Sequence, residues 1–125
     1  MKIEPLYVTF EQAKLLKEKG FDIVCRSYYR YDGVVSFWEF THNANNINLQ
    51  KTLYSRPEQY QLIEWLRVVH GIWISSDYSE VDESFTYKIH NINTKELPRI
   101  FTDCGYKTPQ EAYSAAFDYT LKELI

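Results

Sequence analysis

The apolar positions of this chain alternate between a helical and a strand-like rhythm. From Phe10 to Lys19 they recur at Phe10, Ala13 and Leu16, with Leu15 alongside, while Lys14, Lys17 and Glu18 fill the other face. That spacing predicts an amphipathic helix. A second helical run, Pro57 to His70, carries Leu62, Ile63, Leu66 and Val69 on one side. A third, Pro109 to Leu124, mixes small and large apolar residues at Ala112, Tyr113, Ala116, Phe117 and Leu121, and the small ones permit close packing on a sheet. Each run is preceded by a hydroxyl with Gln or Glu three residues on: Thr9 and Gln12, Ser55 and Glu58, Thr108 and Glu111. This is the capping-box spacing, in which hydroxyl and N3 side chain each satisfy an otherwise orphaned amide. Pro57 and Pro109 fall in the first turn, where a missing N–H costs nothing. Gly20 follows the first run and predicts a left-handed helix end, with Phe21 folding back as the accompanying apolar contact, and Gly71 ends the second run.

Between the helices the rhythm shortens to two. Phe21 to Arg30 places Phe21, Ile23 and Cys25 on one face and Asp22, Val24 and Arg26 on the other. Tyr31-Asp32-Gly33 supplies a turn, and Val34 to Phe40 returns as the partner strand. Ile72 to Tyr78 and Phe85 to Ile92 predict a second hairpin across the acidic loop Ser79 to Glu83. Thr41 to Tyr54, with four Asn, reads as a crossing loop, and Thr94 to Lys107 as irregular chain with a short extended piece at Arg99 to Thr102. The order is therefore α-β-β-α-β-β-α. It predicts an α+β domain over 1-125, with an antiparallel sheet from two hairpins packed with three helices. The core is expected to draw on Phe10, Leu16, Ile23, Phe37, Leu62, Leu66, Val69, Ile74, Tyr87, Ile89, Ala116 and Phe117.

Composition narrows the functions. At 125 residues and 45% hydrophobic content the chain can bury roughly two-thirds of its unfolded surface without disulfide or metal staples. Eleven Tyr, seven Phe and three Trp exceed what a core of this size needs and leave rings for a binding surface. The net charge of −3 lacks the basic excess that drives phosphate binding. No apolar stretch approaches the roughly eighteen residues of a membrane span, and residues 1–5 begin no apolar leader, which places the protein in the cytoplasm.

Candidate chemistry is sparse. His42, His70 and His90 are scattered and lack the close pair of a zinc site, and His70 sits where a helix C-terminus favours its charge. Cys25 and Cys104 belong to no CxxC motif. Cys104, beside Gly105, would need a histidine brought by folding to serve as a nucleophile. Asp77, Glu80, Asp82 and Glu83 lack the pattern of a calcium loop and read as a solvated hairpin tip. No metal and no cofactor is expected. The most suggestive surface is Arg26-Ser27-Tyr28-Tyr29-Arg30-Tyr31, where Arg26, Tyr28 and Arg30 share a strand face with Tyr31 beyond, and rings beside guanidinium groups can stack on bases or on a partner's rings. Trp65, one position off the Leu62–Leu66–Val69 stripe, and Trp73 are either core or interface anchors.

Three passages, Tyr7 to Phe21, Pro57 to Ile74 and Thr108 to Tyr119, resemble a group of small uncharacterised proteins of gut Bacteroides-type bacteria and their phages or prophages. The resemblance implies an accessory protein of a mobile element, acting inside a bacterial cell, and carries over no functional residue. The expected function is a non-enzymatic protein-interaction module, binding another protein or itself as a homodimer. A nucleic-acid-binding protein using the Arg26–Tyr31 face is the alternative, and a cysteine-dependent enzyme built on Cys104 a remote one.

Overall fold

The computed structural model describes residues 6–42 and 53–125, with the backbone alone over 38–42. The chain is α+β and forms two compact units, 1–62 and 63–125. The described residues of the first contain α1 (Phe10–Glu18), β1 (Cys25–Arg30), β2 (Val35–His42) and β3 (Leu53–Ser55), in a sheet of order β2-β1-β3. The division falls inside α2 (Gln59–His70). The second unit contains β4 (Ile72–Ser79), β5 (Ser84–Asn91) and β6 (Ile100–Tyr106), in the order β4-β5-β6, then α3 (Pro109–Tyr119) and a π-helical turn over Thr120–Leu124.

In the first unit the capping box closes as the spacing predicts. The Gln12 amide donates to Thr9 Oγ1 at 3.1 Å, and the Thr9 amide donates to Gln12 Oε1 at 3.0 Å. At the other end, Gly20 N–H donates to the Lys17 carbonyl and Phe21 N–H to that of Leu16, with Gly20 at φ +82°. This paired pattern turns Phe21 into the core, where it is buried. The turn also ends any strand character there. Residues 21–24 form no ladder, and β1 starts at Cys25, four positions later than the alternation predicts. The Val24 carbonyl instead accepts from Gln61 Nε2 at 3.2 Å, and Ile23, expected in the core, is 39% exposed.

Strand β1 alternates buried Cys25, Ser27 and Tyr29 with Arg26, Tyr28 and Arg30 on the other face. The β1–β2 turn is a three-residue loop, closed by Arg30 N–H to the Val34 carbonyl and by Gly33 N–H to that of Arg30. Phe10 of α1 lies against Tyr29 and Tyr54, with ring centroids 5.4 and 5.7 Å apart. Tyr54 belongs to β3, which pairs with β1 at Tyr28 to Arg30. The end of the expected crossing loop is thus a strand, because its Leu-Tyr pair supplies ring surface for α1; residues 43–52 of that loop lie outside the described residues, as do residues 1–5.

Helix α2 starts two residues later than the Ser55 capping box predicts. Pro57 and Glu58 are extended, because they pair with the chain before α1: Val8 N–H donates to the Pro57 carbonyl at 3.1 Å, and Tyr7 bridges Glu58. The box shifts accordingly, and Glu58 N–H donates to Gln61 Oε1 at 2.9 Å.

In the second unit β4 and β5 pair without a break from Ile72↔Asn91 to Ser79↔Ser84. The region expected to be mostly irregular supplies β6, which pairs with β5 and runs to Tyr106. One sheet face carries Ile74, Ile89 and Phe101 in a row, and α3 packs on it through buried Ala112, Ala116 and Phe117, with the Phe101 and Tyr119 rings 5.4 Å apart. Thr108 caps α3, accepting from Glu111 N–H at 3.1 Å, but the Glu111 carboxylate takes the Lys107 amide. On α2 the buried positions include Trp65 and Leu66, while Val69, expected in the core, is 55% exposed. The indole has more apolar surface to hide than a valine, and it wins the buried side of the last turns.

Candidate binding clefts

Two clefts are lined by the residue types the sequence singled out, one in each unit. The first, of about 320 Å³, is bounded by Tyr7, Val24, Arg26, Ser27, Phe37, Arg56, Glu58, Tyr60 and Gln61. Along it the β1–β2 ladder slips between Cys25 and Ser27, so that Arg26 stands at an irregularity and not in a regular pair. Phe37, expected in the core, pairs with Ser27 on edge strand β2 and is 63% exposed there. An edge strand has no neighbour beyond it to cover the ring, and Phe37 becomes a wall of the cleft.

Arg56, which sequence reasoning passed over, organises this cleft. Its guanidinium lies 3.8 Å from the Tyr7 ring centroid, 5.5 Å from that of Tyr29 and 5.9 Å from that of Phe37. Cation–π attraction of this kind strengthens as water is excluded. Ser27 Oγ donates to the Arg56 carbonyl at 3.0 Å and accepts from the guanidinium at 3.5 Å, so one serine holds both ends of the residue. The hydroxyl of Tyr29 donates to the Val8 carbonyl at 2.6 Å and fixes that ring. Nearby, burial pushes the Cys25 thiol up to about 12, with the charge of Glu58 adding to the rise. The sequence signal for Arg56 was its place in a predicted cap, which concealed it: the helix starts later and leaves the side chain to the rings.

The second cleft, of about 340 Å³, is lined by Trp73, His90, Asn91, Ile92, Arg99 and Ile100. Trp73, His90 and Ile100 form a row across β4, β5 and β6 on the sheet face opposite Ile74, Ile89 and Phe101. Trp73 is 38% exposed, and Ile92 and Ile100 are more open still. Asn91 N–H donates to the Arg99 carbonyl at 2.8 Å and ties the β5–β6 connection to the sheet.

The remaining candidates are dispersed. Arg26, Tyr28 and Arg30 occupy one face of β1, with Tyr28 half-buried, and Tyr31 is exposed in the turn beyond. Trp65 is 3% exposed and packs edge-on to His70 with centroids 4.8 Å apart; it is a core residue, not a surface anchor. Both cysteines are free thiols, Cys25 buried and Cys104 exposed on β6, which is a strand and not the loop the sequence suggested. His90 pairs with Ile100, four residues from Cys104 and so roughly 13 Å along the strand, beyond proton-transfer reach. Asp103 accepts from the Tyr106 hydroxyl at 2.9 Å, and burial, then this bond, pushes Tyr106 up to about 12. Asp82, in the acidic loop, accepts from Ser79 Oγ at the tip of the β4–β5 hairpin. Among the described residues no three His, Cys, Asp or Glu side chains gather where a metal ion could be held, and no helix is long and apolar enough to cross a membrane. Comparison with protein families, with curated proteins and with solved structures gives no match.

Proposed function

We propose that the protein is a non-enzymatic interaction module whose contact surface is the open face of the second sheet. The observation that carries this reading is the row Trp73, His90 and Ile100, extended by Ile92 into a concave apolar patch with Arg99 at its margin. Partly exposed Trp beside aliphatic residues and Arg is the composition of an interface centre. The partner is a second copy of this chain or another protein. The resemblance of three passages to proteins of gut bacteria and their phages fits an accessory protein of a mobile element working in the cytoplasm.

Size-exclusion chromatography with light scattering tests the reading at several concentrations, on the native chain and on Trp73→Ala with Ile100→Ser. A mass that rises with concentration, or a complex with a host protein, that the double variant loses at unchanged melting temperature is the expected result. A native chain that stays monomeric and binds no host protein overturns it. Arg26, Tyr28 and Arg30 on one open face favour a second reading, binding to single-stranded nucleic acid. It predicts a complex with a labelled oligonucleotide at low salt that dissolves as salt rises.

A further inference from the structure

The first cleft holds two arginines, Arg26 and Arg56, that make no ion pair among the described residues. Arg56 is held by ring faces and by one long bond to Ser27, and its Nε is shielded from solvent without a hydrogen-bond partner. A guanidinium has five donors in a planar fork; the Tyr7 ring beneath it takes none of them, and Ser27 accepts from one Nη. An oxyanion entering the cleft would meet the remaining Nη donors of Arg56, with Arg26 in the same lining at the break in the β1 ladder.

Charge and size define the ligand. Glu58 stands in the same wall, so among the described lining residues the two arginines and this carboxylate leave one net positive charge, suited to a single carboxylate and poorly suited to a run of phosphates. About 320 Å³ lies at the small end of ligand cavities, which span roughly 300–1,000 Å³, and admits one side-chain-sized group. Phe37 and Tyr60, both 63% exposed, offer apolar walls at its margin. We propose that the first cleft binds a single carboxylate carried next to an apolar or aromatic group, as an acidic residue in a peptide segment or a small aryl acid presents it. The site is independent of the contact surface on the second sheet.

The test is an amide-resolved NMR titration of the full chain with acetyl-Phe-Glu-amide, acetyl-Phe-Gln-amide, phenylacetate and a ten-residue oligothymidine. Saturable shifts around Ser27, Phe37 and Arg56 are expected with the Glu peptide, and binding about tenfold or more weaker with the Gln peptide, the loss of a charge-assisted hydrogen bond. Phenylacetate matching the Glu peptide identifies a free acid as sufficient; tighter binding of the peptide identifies a peptide ligand. Arg26→Gln, at an exposed position, should weaken binding with the melting temperature unchanged, and Arg56→Lys should weaken it by losing the planar fork. Equal binding of the Glu and Gln peptides, or no saturable binding of either acid, overturns the proposal. So does an oligothymidine that binds this cleft more tightly than either acid, which would assign it to nucleic acid. None of these outcomes bears on the association test of Trp73 and Ile100.

Discussion

Burial raises the Cys25 thiol from an ordinary 9.0 to about 12, whereas Cys104 stands exposed on edge strand β6. The thiolate is the reactive form, so environment separates the two residues. At pH 8 a disulfide-exchange reagent should titrate one thiol in the native protein and two after denaturation; two fast thiols in the native protein would show that the Cys25 side of the sheet opens readily. The same shift links stability to pH. A group whose pKa is raised by folding contributes stability that is fully present below its unfolded value and is lost as pH rises through the folded value. For Cys25 that window runs from about 9 to about 12, and Tyr106, raised from 10.0 to about 12, acts in the same sense. The melting temperature should therefore fall between pH 8.5 and 11 (test conditions about the windows just given), and Cys25→Ala should flatten part of that fall. An unchanged slope in the variant would remove the thiol from the explanation.

At the scale of elements, the turn from α2 into β4 depends on one backbone angle. Gly71 has φ +64°, its N–H donates to the Arg67 carbonyl, and its own carbonyl accepts from Ile92 N–H at 2.7 Å. A Cβ here would run into the Asn93 side chain. Asn93 is exposed and can swing aside, so the lasting cost is the left-handed backbone, about 1–2 kcal/mol for a residue other than glycine. Gly71→Ala should lower unfolding stability by at least about 1 kcal/mol in denaturant melts. No loss would mean that the helix end relaxes to another conformation. Gly20 shows how such a local signal was read correctly from sequence, because the two hydrogen bonds of its helix end join residues within five positions of one another. The start of α2 was misread for the opposite reason. Ser55 and Pro57 satisfy every local rule for a cap, but Ser55 pairs with Tyr28 of β1, and Val8 and Tyr7, about fifty positions earlier in the chain, take the backbone of Pro57 and Glu58 first.

On the scale of the whole molecule, burial of α2 is the expectation most exposed to test. Leu62 and Leu66 are fully buried and Trp65 nearly so. A carboxylate at position 66 would have to ionise in an apolar site or remain protonated there, and either costs several kcal/mol on top of the lost apolar contact, about as much as a domain's net stability. Leu66→Asp should unfold the protein, seen as loss of its cooperative thermal transition; a soluble variant with unchanged melting would place Leu66 at the surface. The aromatic surplus divides between packing and surface. Phe21, Tyr29, Trp65, Tyr87 and Phe117 are buried, whereas Phe37, Tyr60 and Trp73 border the two clefts.

The features legible along the chain are local in origin. The helix rhythm, the Thr9 and Thr108 caps, the Gly20 helix end and the two hairpin turns all arise among residues a few positions apart, whose preferences hold wherever no distant pairing competes for the same backbone. The α+β class followed from their order. Tertiary structure alone decided the rest. It recruited Leu53–Ser55 and Ile100–Tyr106 as third strands, because a hairpin's open edge is completed by whatever chain folding brings beside it. It also decided which apolar residues stay exposed: Ile23, Phe37 and Val69 fit the core pattern, yet a helix-end turn, a sheet edge and a competing indole leave them outside. The Arg56 cleft is the clearest case. Its four principal groups, Tyr7, Ser27, Phe37 and Arg56, are separated along the chain, and a cation held by rings leaves no spacing motif, since a ring attracts a guanidinium from any element that can bring it near.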